Sequence, residues 1–368
     1  MLRTLLLTPG PLTTTDATRA ALGHDWGSRD PAFVALTSRL RSRLAAIAHG
    51  EDTHDAVLLA GSGTFAVEAA IGTLVPRDGR LLVLANGAYG ERMAAIAGQI
   101  GRACSVERWA ETAPVDPGRV RAILREDASI TDVAVVQCET TTGLLNPVEA
   151  VAGIVAEAGR RLLVDAMSGF GALPLDLRQI RASAVMASSN KCLEGVPGIG
   201  VVVAERSHLA ACAGQSHSLS LDLHAQWRGF VANGQWRYTP PVQVAAALEA
   251  ALDQLDAEGG PQARLARYRN NHAMLTAGMA RLGYRTTLPA ALQAPIIVTF
   301  DEPGAGFDFT RFYDALQAEG IVIYPGKLTQ APSFRIGCIG AIDGHDIARA
   351  LDCIARITAQ QAEPVGTN

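Results

Sequence analysis

Arg161-Leu162-Leu163-Val164-Asp165-Ala166-Met167-Ser168-Gly169-Phe170-Gly171, followed further on by Ala187-Ser188-Ser189-Asn190-Lys191-Cys192-Leu193-Glu194-Gly195, is the stretch on which the reading of this chain turns. Each half is an apolar strand pattern that runs into a charge. A lysine at the end of a buried strand is costly unless it is paired or used covalently. An aspartate ending the neighbouring strand meets the same difficulty. Pyridoxal phosphate answers both, with Lys191 as the imine-forming amine and Asp165 pairing the pyridinium nitrogen. Taken separately, a strand-end Asp or Lys is ordinarily a solvated charge or half of a structural ion pair.

Outward from this stretch, strand and helix patterns alternate. Strands read at Ala56–Leu59, Arg80–Leu84, Val133–Val136 and Leu162–Asp165, with helices over Thr64–Leu74, Gly90–Gly101 and Val148–Ala158. Short apolar strands alternating with helices predict an α/β fold built on a mostly parallel sheet covered on both faces. Ala184–Ala187 and Gly200–Ala204 are two more strands with Lys191 between them, and the connection is too short for a crossover, so this pair is expected to be antiparallel. Pro9 and Pro11 predict an irregular N-terminal arm, and a helix is expected from Pro31 to His49. After Pro240-Pro241 an alanine-rich helix runs from Val242 towards Gly259. A smaller α+β region follows, with strands near Ile296–Phe300, Ile321–Ile323 and Phe334–Ile336 and a last helix near His345–Ile357. The expected organisation is an arm over 1–15, a large cofactor-binding domain over 16–250 and a small C-terminal domain over 251–368, with the boundary somewhere in 240–265.

Composition narrows the function classes. At 368 residues the chain exceeds one ordinary domain, and 48% hydrophobic with 18% charged residues reads as a globular enzyme. A net charge of −4 and a pI near 6.1 argue against nucleic-acid or polybasic membrane contacts. The cysteines at 104, 138, 192, 212, 338 and 353 form no C-x-x-C, which suits reduced thiols. Leu5–Leu7 is too short for a signal segment, and a cytoplasmic location is the expectation. The histidines lack metal-ligand spacing, so no metal is expected, and no G-x-S-x-G elbow supports a serine hydrolase.

Other motifs fall at strand ends. In Gly61-Ser62-Gly63-Thr64-Phe65, backbone N–H groups and a helix N-terminus suit a phosphate held by Ser62, Gly63 and Thr64. A tight βα turn with a simple Ser or Thr cap is the alternative. Glu139-Thr140-Thr141-Thr142-Gly143 puts hydroxyls where α/β proteins bind ligands, or it is only a threonine-rich turn. Tyr89, in Asn86-Gly87-Ala88-Tyr89-Gly90, either stacks on a flat ring or packs ordinarily. Arg335, inside Ser333-Phe334-Arg335-Ile336-Gly337, offers a planar fork for a carboxylate or phosphonate, or for a structural salt bridge.

These motifs, with Leu7-Thr8-Pro9-Gly10-Pro11-Leu12-Thr13-Thr14, Ser218-Leu219-Ser220-Leu221-Asp222-Leu223 and Ile323-Tyr324-Pro325-Gly326-Lys327, resemble the class V, fold-type I aminotransferases over nearly the whole chain. Within them the Ser-Leu-Ser-Leu-Asp-Leu and Tyr-Pro-Gly-Lys segments resemble the branch acting on 2-aminoethylphosphonate and pyruvate. The resemblance implies a seven-stranded, mostly parallel sheet in the large domain. It implies that Lys191 bonds the cofactor and shuttles a proton, and that Asp165 keeps the ring nitrogen protonated. Tyr89 would stack on the ring, Thr140 would contact its oxygen, and Met167 would line the other side, with Asn190 beside the lysine. Thr239, in Trp236-Arg237-Tyr238-Thr239-Pro240, matches a residue that completes the partner subunit's phosphate cup, which implies a homodimer with shared active sites. Arg335, Thr13 and Thr14 are placed near the substrate's anionic group. The chain departs from the pattern at Gly169, where a second serine is expected.

The activity so implied is transfer of the amino group of 2-aminoethylphosphonate to pyruvate, giving phosphonoacetaldehyde and L-alanine. The alternatives are a relative acting on serine, alanine or glyoxylate, or on a hydroxylated aminoethylphosphonate, and a cofactor-binding scaffold without catalysis. A desulfurase needs a mobile cysteine nucleophile, whereas Cys192 and Cys338 read as small buried hydrophobes.

Overall fold

In a computed structural model, residues 3–304 and 306–362 are described, so the outermost ends of the expected arm and small domain lie outside the described residues. Seven strands form the main sheet, in spatial order His54–Ala60, Ile199–Glu205, Ala184–Ser188, Arg161–Asp165, Ile130–Val136, Arg80–Ala85 and Ala103–Arg108. Only Ile199–Glu205 runs against the others, and it does so beside both of its neighbours. The antiparallel pairing expected around Lys191 is therefore present, with Ser188 opposite Gly200.

The central strands are apolar throughout because helices cover both faces. Leu162, Leu163, Val164, Val133, Ala134 and Val135 have no solvent exposure, and each valine or leucine among them contributes roughly 1.5–3 kcal/mol. Ala103–Arg108 was not read as a strand. It lies at the sheet edge, half-exposed, and carries Ser105, Glu107 and Arg108 in place of an apolar run. Helices Pro117–Glu126, Leu223–Asn233, Gly260–Arg281 and Phe309–Ala318 were also not anticipated. Three of them begin at a capping aspartate: Asp116 accepts from Gly118, Asp222 from Ala225 and Asp308 from Arg311.

The C-terminal part has a three-stranded antiparallel sheet, with Ser333–Gly337 between Ile297–Asp301 and Tyr324–Pro325. The expected strand at Ile321–Ile323 is shorter, and Ile321–Val322 pairs in parallel with Leu5–Leu6 of the N-terminal arm. Leu5 and Leu7 join Phe300, Phe312, Phe334 and Ile336 in one core, so the arm is built into the C-terminal unit. A smaller cluster that includes Leu12, Cys138, Cys192, Tyr268 and Ile339 lies where the arm, the Lys191 loop and the C-terminal elements meet.

Parallel strands deliver their carboxyl ends to one edge, and this positions the site. Ala60 leads to Gly61–Thr64, Ala85 to Asn86–Tyr89, Val136 to Glu139–Thr141, Asp165 to Met167, and Ser188 to Lys191. The first and last of these loops are tied by a bond from Gly61 N to Gly198 O of 2.9 Å.

Candidate active site

Asp165 ends the central strand as a buried carboxylate, 4% exposed, with Oδ1 accepting from Met167 N at 2.9 Å. Burial lifts its pKa from the ordinary 3.8 to about 6. The Met167 bond, Arg92 and Lys191 oppose that rise, and Glu139 adds to it. Lys191 donates through Nζ to Pro9 O at 2.7 Å. The arm lies so close that a Cβ on Gly10 would stand 2.6 Å from Lys191 Nζ, and Gly10 has φ +122°. Burial pulls the lysine below its usual range, Lys327 pulls the same way, and Tyr89, Cys192 and Asp165 only partly offset them.

Behind the lysine, the loop is anchored by Glu194, a buried residue in the left-handed region at φ 59°. Its carboxylate accepts from the Tyr268 hydroxyl and from Arg267 Nη2 at 2.8 Å. The fully buried Arg264 donates to Cys192 O at 3.0 Å and to Glu258 at 2.9 Å. Two arginines against two glutamates keep this buried cluster neutral, which is the condition for its stability.

Tyr89 is held from both ends. Glu139, fully buried, accepts through Oε2 from Tyr89 N at 3.1 Å and Gly90 N at 3.4 Å, while Oε1 takes Thr141 N at 3.1 Å and Thr141 Oγ1 at 2.6 Å. Thr141 Oγ1 accepts from Ala88 N at 3.0 Å. A carboxylate thus satisfies the first N–H groups of helix Ala88–Gln99 and complements its dipole. At the other end, burial alone would raise the Tyr89 phenol. Its contact with Thr140 and the charges of Lys327, Lys191 and Arg335 outweigh that and bring it below its ordinary value. Arg335, 2% exposed, donates through Nη1 to Thr140 O at 2.8 Å and through Nε to Pro325 O at 3.0 Å.

The phosphate cup read from sequence lies at the N-terminus of helix Gly63–Leu74, where Ser62 makes no side-chain capping bond. Gly63, Thr64, Tyr89, Arg92, Asp165 and Met167 line one recess. A Cβ at position 63 would stand 2.2 Å from Met167 Sδ, so glycine here lets the Met167 side chain lie against the helix start. Gly169, the departure noted in the sequence, has a packing reason. A Cβ there would stand 2.5 Å from Gln137 Oε1 and 2.7 Å from Leu173 Cδ1.

The structure thus brings Lys191, Asp165, Tyr89, Thr140, Met167, Arg335 and the cup to one place, with Asn190 half-buried beside the lysine. It does not bring Thr13 and Thr14 into hydrogen-bond contact with them. Thr13 Oγ1 accepts from Leu6 N at 2.7 Å, and Thr14 Oγ1 accepts from Arg19 at 3.2 Å. Thr239 is exposed and makes no side-chain hydrogen bond among the described residues. Cys192 and Cys338 have no exposure, and burial pushes the Cys192 thiol up to about 12 and Cys338 higher still, the opposite of a nucleophilic cysteine.

The aminotransferase class-V family model matches residues 23–342. A Pseudomonas putida protein named 2-aminoethylphosphonate–pyruvate transaminase is 52% identical over 96% of both chains. The chain belongs to the class-V aminotransferases. A Burkholderia lata protein named 2-aminoethylphosphonate–pyruvate transaminase 2 is 53% identical over 95% of this chain and 94% of its own. Among solved structures, ureidoglycine–glyoxylate aminotransferase from Bacillus subtilis superposes with a TM-score of 0.91 at 20% identity, covering 100% of this chain and 96% of its own. Pyridoxamine–pyruvate aminotransferase from Mesorhizobium loti gives 0.90 at 24%, covering 99% and 94%. At those identities the likeness establishes the fold, which is the fold-type I architecture expected from the sequence.

Class-V aminotransferases are pyridoxal-phosphate enzymes, and the residues here fit that group. An open helix N-terminus suits its phosphate, a buried carboxylate its ring nitrogen, and a lysine with depressed pKa its aldehyde. For this aminotransferase, the roles of Glu139, Glu194 and Lys327 were not legible beforehand. Glu139 stood in a quoted motif, but nothing in its spacing announced that it reaches Tyr89, 50 residues away.

Proposed function

We propose that this protein transfers the amino group of 2-aminoethylphosphonate to pyruvate, forming phosphonoacetaldehyde and L-alanine in phosphonate catabolism. The observation that carries the substrate pair is the 52% identity, over 96% of both chains, to a relative bearing that name. When bound, pyridoxal phosphate supplies an electrophilic aldehyde and an electron-withdrawing ring. The chain's own groups do the rest. Lys191, kept below the ordinary lysine range by burial, has a larger neutral fraction with which to attack a carbonyl and to carry a proton from the substrate carbon. Asp165 holds a proton at the ring nitrogen. Ser62, Gly63 and Thr64 grip the phosphate, while Tyr89, Thr140, Asn190 and Met167 fix the ring. Arg335 meets the substrate's anionic group. Thr13 and Thr14, placed by the same reading near that anionic group, also hold the arm that covers Lys191.

A homodimer with shared sites belongs to the same reading, Thr239 completing the cup of the partner subunit. So do an arm over 1–15, a cofactor domain over 16–250 and a small domain over 251–368. Among the described residues no helix is long and apolar enough to cross a membrane, which is compatible with the proposed cytoplasmic location. The test is alanine formation from pyruvate by the cofactor-loaded protein, with 2-aminoethylphosphonate compared with serine, taurine, glutamate and a hydroxylated aminoethylphosphonate. Preference for the unmodified phosphonate and parallel initial-rate lines are expected. Preference for serine would overturn the substrate assignment, and intersecting lines would overturn the two-half-reaction scheme.

A further inference from the structure

Of the 32 basic residues in this chain, 30 are arginine and only Lys191 and Lys327 are lysine. A basic position without a special requirement would follow the prevailing choice of arginine. Arginine and lysine differ physically, since lysine is a compact, rotatable point charge and arginine a planar fork. Lys191 has a chemical reason to be an amine. Lys327 stands beside the same tyrosine, with Nζ 5.2 Å from the centre of the Tyr89 ring.

The fold brings Lys327 there together with Arg335. Tyr324–Pro325 pairs with Ser333–Gly337, Tyr324 opposite Arg335, and Gly326 N bonds to Ser333 O at 2.8 Å. Lys327 begins the loop just past this pair, and that loop is tied to the large sheet's side by Thr329, which donates to Glu111 Oε2 from N at 3.1 Å and Oγ1 at 3.2 Å. Among the described residues no carboxylate lies within salt-bridge distance of Lys327 or of Arg335. The nearby carboxylates are committed, Glu139 to the helix N-terminus, Asp165 to the position assigned to the ring nitrogen and Glu111 to Thr329. Arg92, 4.9 Å over the same ring, lines the recess with Gly63 and Thr64, on the side assigned to the cofactor phosphate. Arg335 already uses Nε and Nη1 on backbone oxygens and also hydrogen-bonds the Tyr89 side chain, so only part of its donor capacity is left for a ligand. A tetrahedral dianion carries more charge and more acceptor oxygens than this arginine alone can meet, and a lysine is the point charge that would complete the pairing.

We infer that Lys327 is that second cation, a specificity residue that pairs with Arg335 to select a dianionic phosphonate over singly charged carboxylates and sulfonates. The inference rests on the substrate reading above and names the residue that enforces it. Ethylphosphonate and ethanesulfonate share a tetrahedral head and lack the amino group, and above the second ionisation of the phosphonate they differ in charge, so calorimetry at that alkaline pH on the cofactor-loaded enzyme isolates the charge. The intact enzyme is expected to bind the phosphonate about tenfold more tightly, and Lys327→Met should bring the two within about twofold. The variant should also slow the half-reaction with 2-aminoethylphosphonate about tenfold more than that with alanine, whose carboxylate is singly charged. An unchanged phosphonate-to-sulfonate ratio, equal slowing of both half-reactions, or a loss of pyridoxal-phosphate affinity in place of phosphonate selectivity would each overturn the inference. Failure of the intact enzyme to use 2-aminoethylphosphonate at all would overturn the substrate reading instead, and the binding ratio would still report on Lys327.

Discussion

Asp165→Asn isolates the energetic cost of the buried carboxylate proposed to pair with the cofactor's ring nitrogen. Asp165 is 4% exposed, and burial lifts it from 3.8 to about 6. Between those values the folded apoprotein holds a proton that the unfolded chain has released, so stability falls as pH rises through this window. The contribution is fully present below 3.8 and lost above about 6. Roughly two pH units at about 1.4 kcal/mol each make the ionised carboxylate cost the apoprotein about 3 kcal/mol at neutral pH and above. Asparagine has nearly the same shape, and its Oδ1 can keep the bond from Met167 N. Denaturant unfolding of the two apoproteins should therefore find the variant more stable by about 3 kcal/mol near pH ~8, narrowing to about 1 kcal/mol near pH ~4.5. Adding pyridoxal phosphate should reverse the order, because only the carboxylate gains a charged partner. Equal apoprotein stability at the higher pH, or an advantage that grows as pH falls, would refute the reasoning.

Lys191→Ala should abolish alanine formation while leaving the fold intact by circular dichroism, since no other lysine but Lys327 exists to replace it. Glu194→Ala removes the acceptor of Tyr268 and Arg267 and leaves Arg264 with a buried charge imbalance; a loss of about 3–5 kcal/mol in unfolding free energy is expected. Gly10→Ala would set a Cβ 2.6 Å from Lys191 Nζ at φ +122°. Titration of the apoprotein with pyridoxal phosphate, followed by absorbance, should show at least about tenfold weaker binding, a cost of about 1.4 kcal/mol; unchanged affinity would show that the arm is not set against the lysine.

Much of the fold was written in local pattern. Leu162-Leu163-Val164 and Val133–Val136 announce buried parallel strands because both faces are covered, so no polar alternation interrupts them. The short link around Lys191 dictated antiparallel pairing through chain length alone. Lys191 and Asp165 stood out because charges at the ends of apolar runs demand a reason. The half-exposed edge strand Ala103–Arg108 was not legible, since its polar residues match no buried pattern. Nor was the arm's place in the C-terminal core, for Leu5 meets Ile321 only after the chain returns across its whole length.

The site divides the same way. Residue type and strand-end position alone singled out Lys191, Asp165, the glycine-rich turn and Arg335 as candidates, because those groups carry their chemistry wherever they stand. Only the tertiary structure decided that Glu139 caps the helix bearing Tyr89, that Glu194 anchors the lysine loop through Arg264 and Arg267, and that Lys327 stands over the Tyr89 ring. Those relations join residues far apart in the chain. A one-dimensional pattern records which faces must be buried, whereas the partner of a buried charge is set by where separate elements meet.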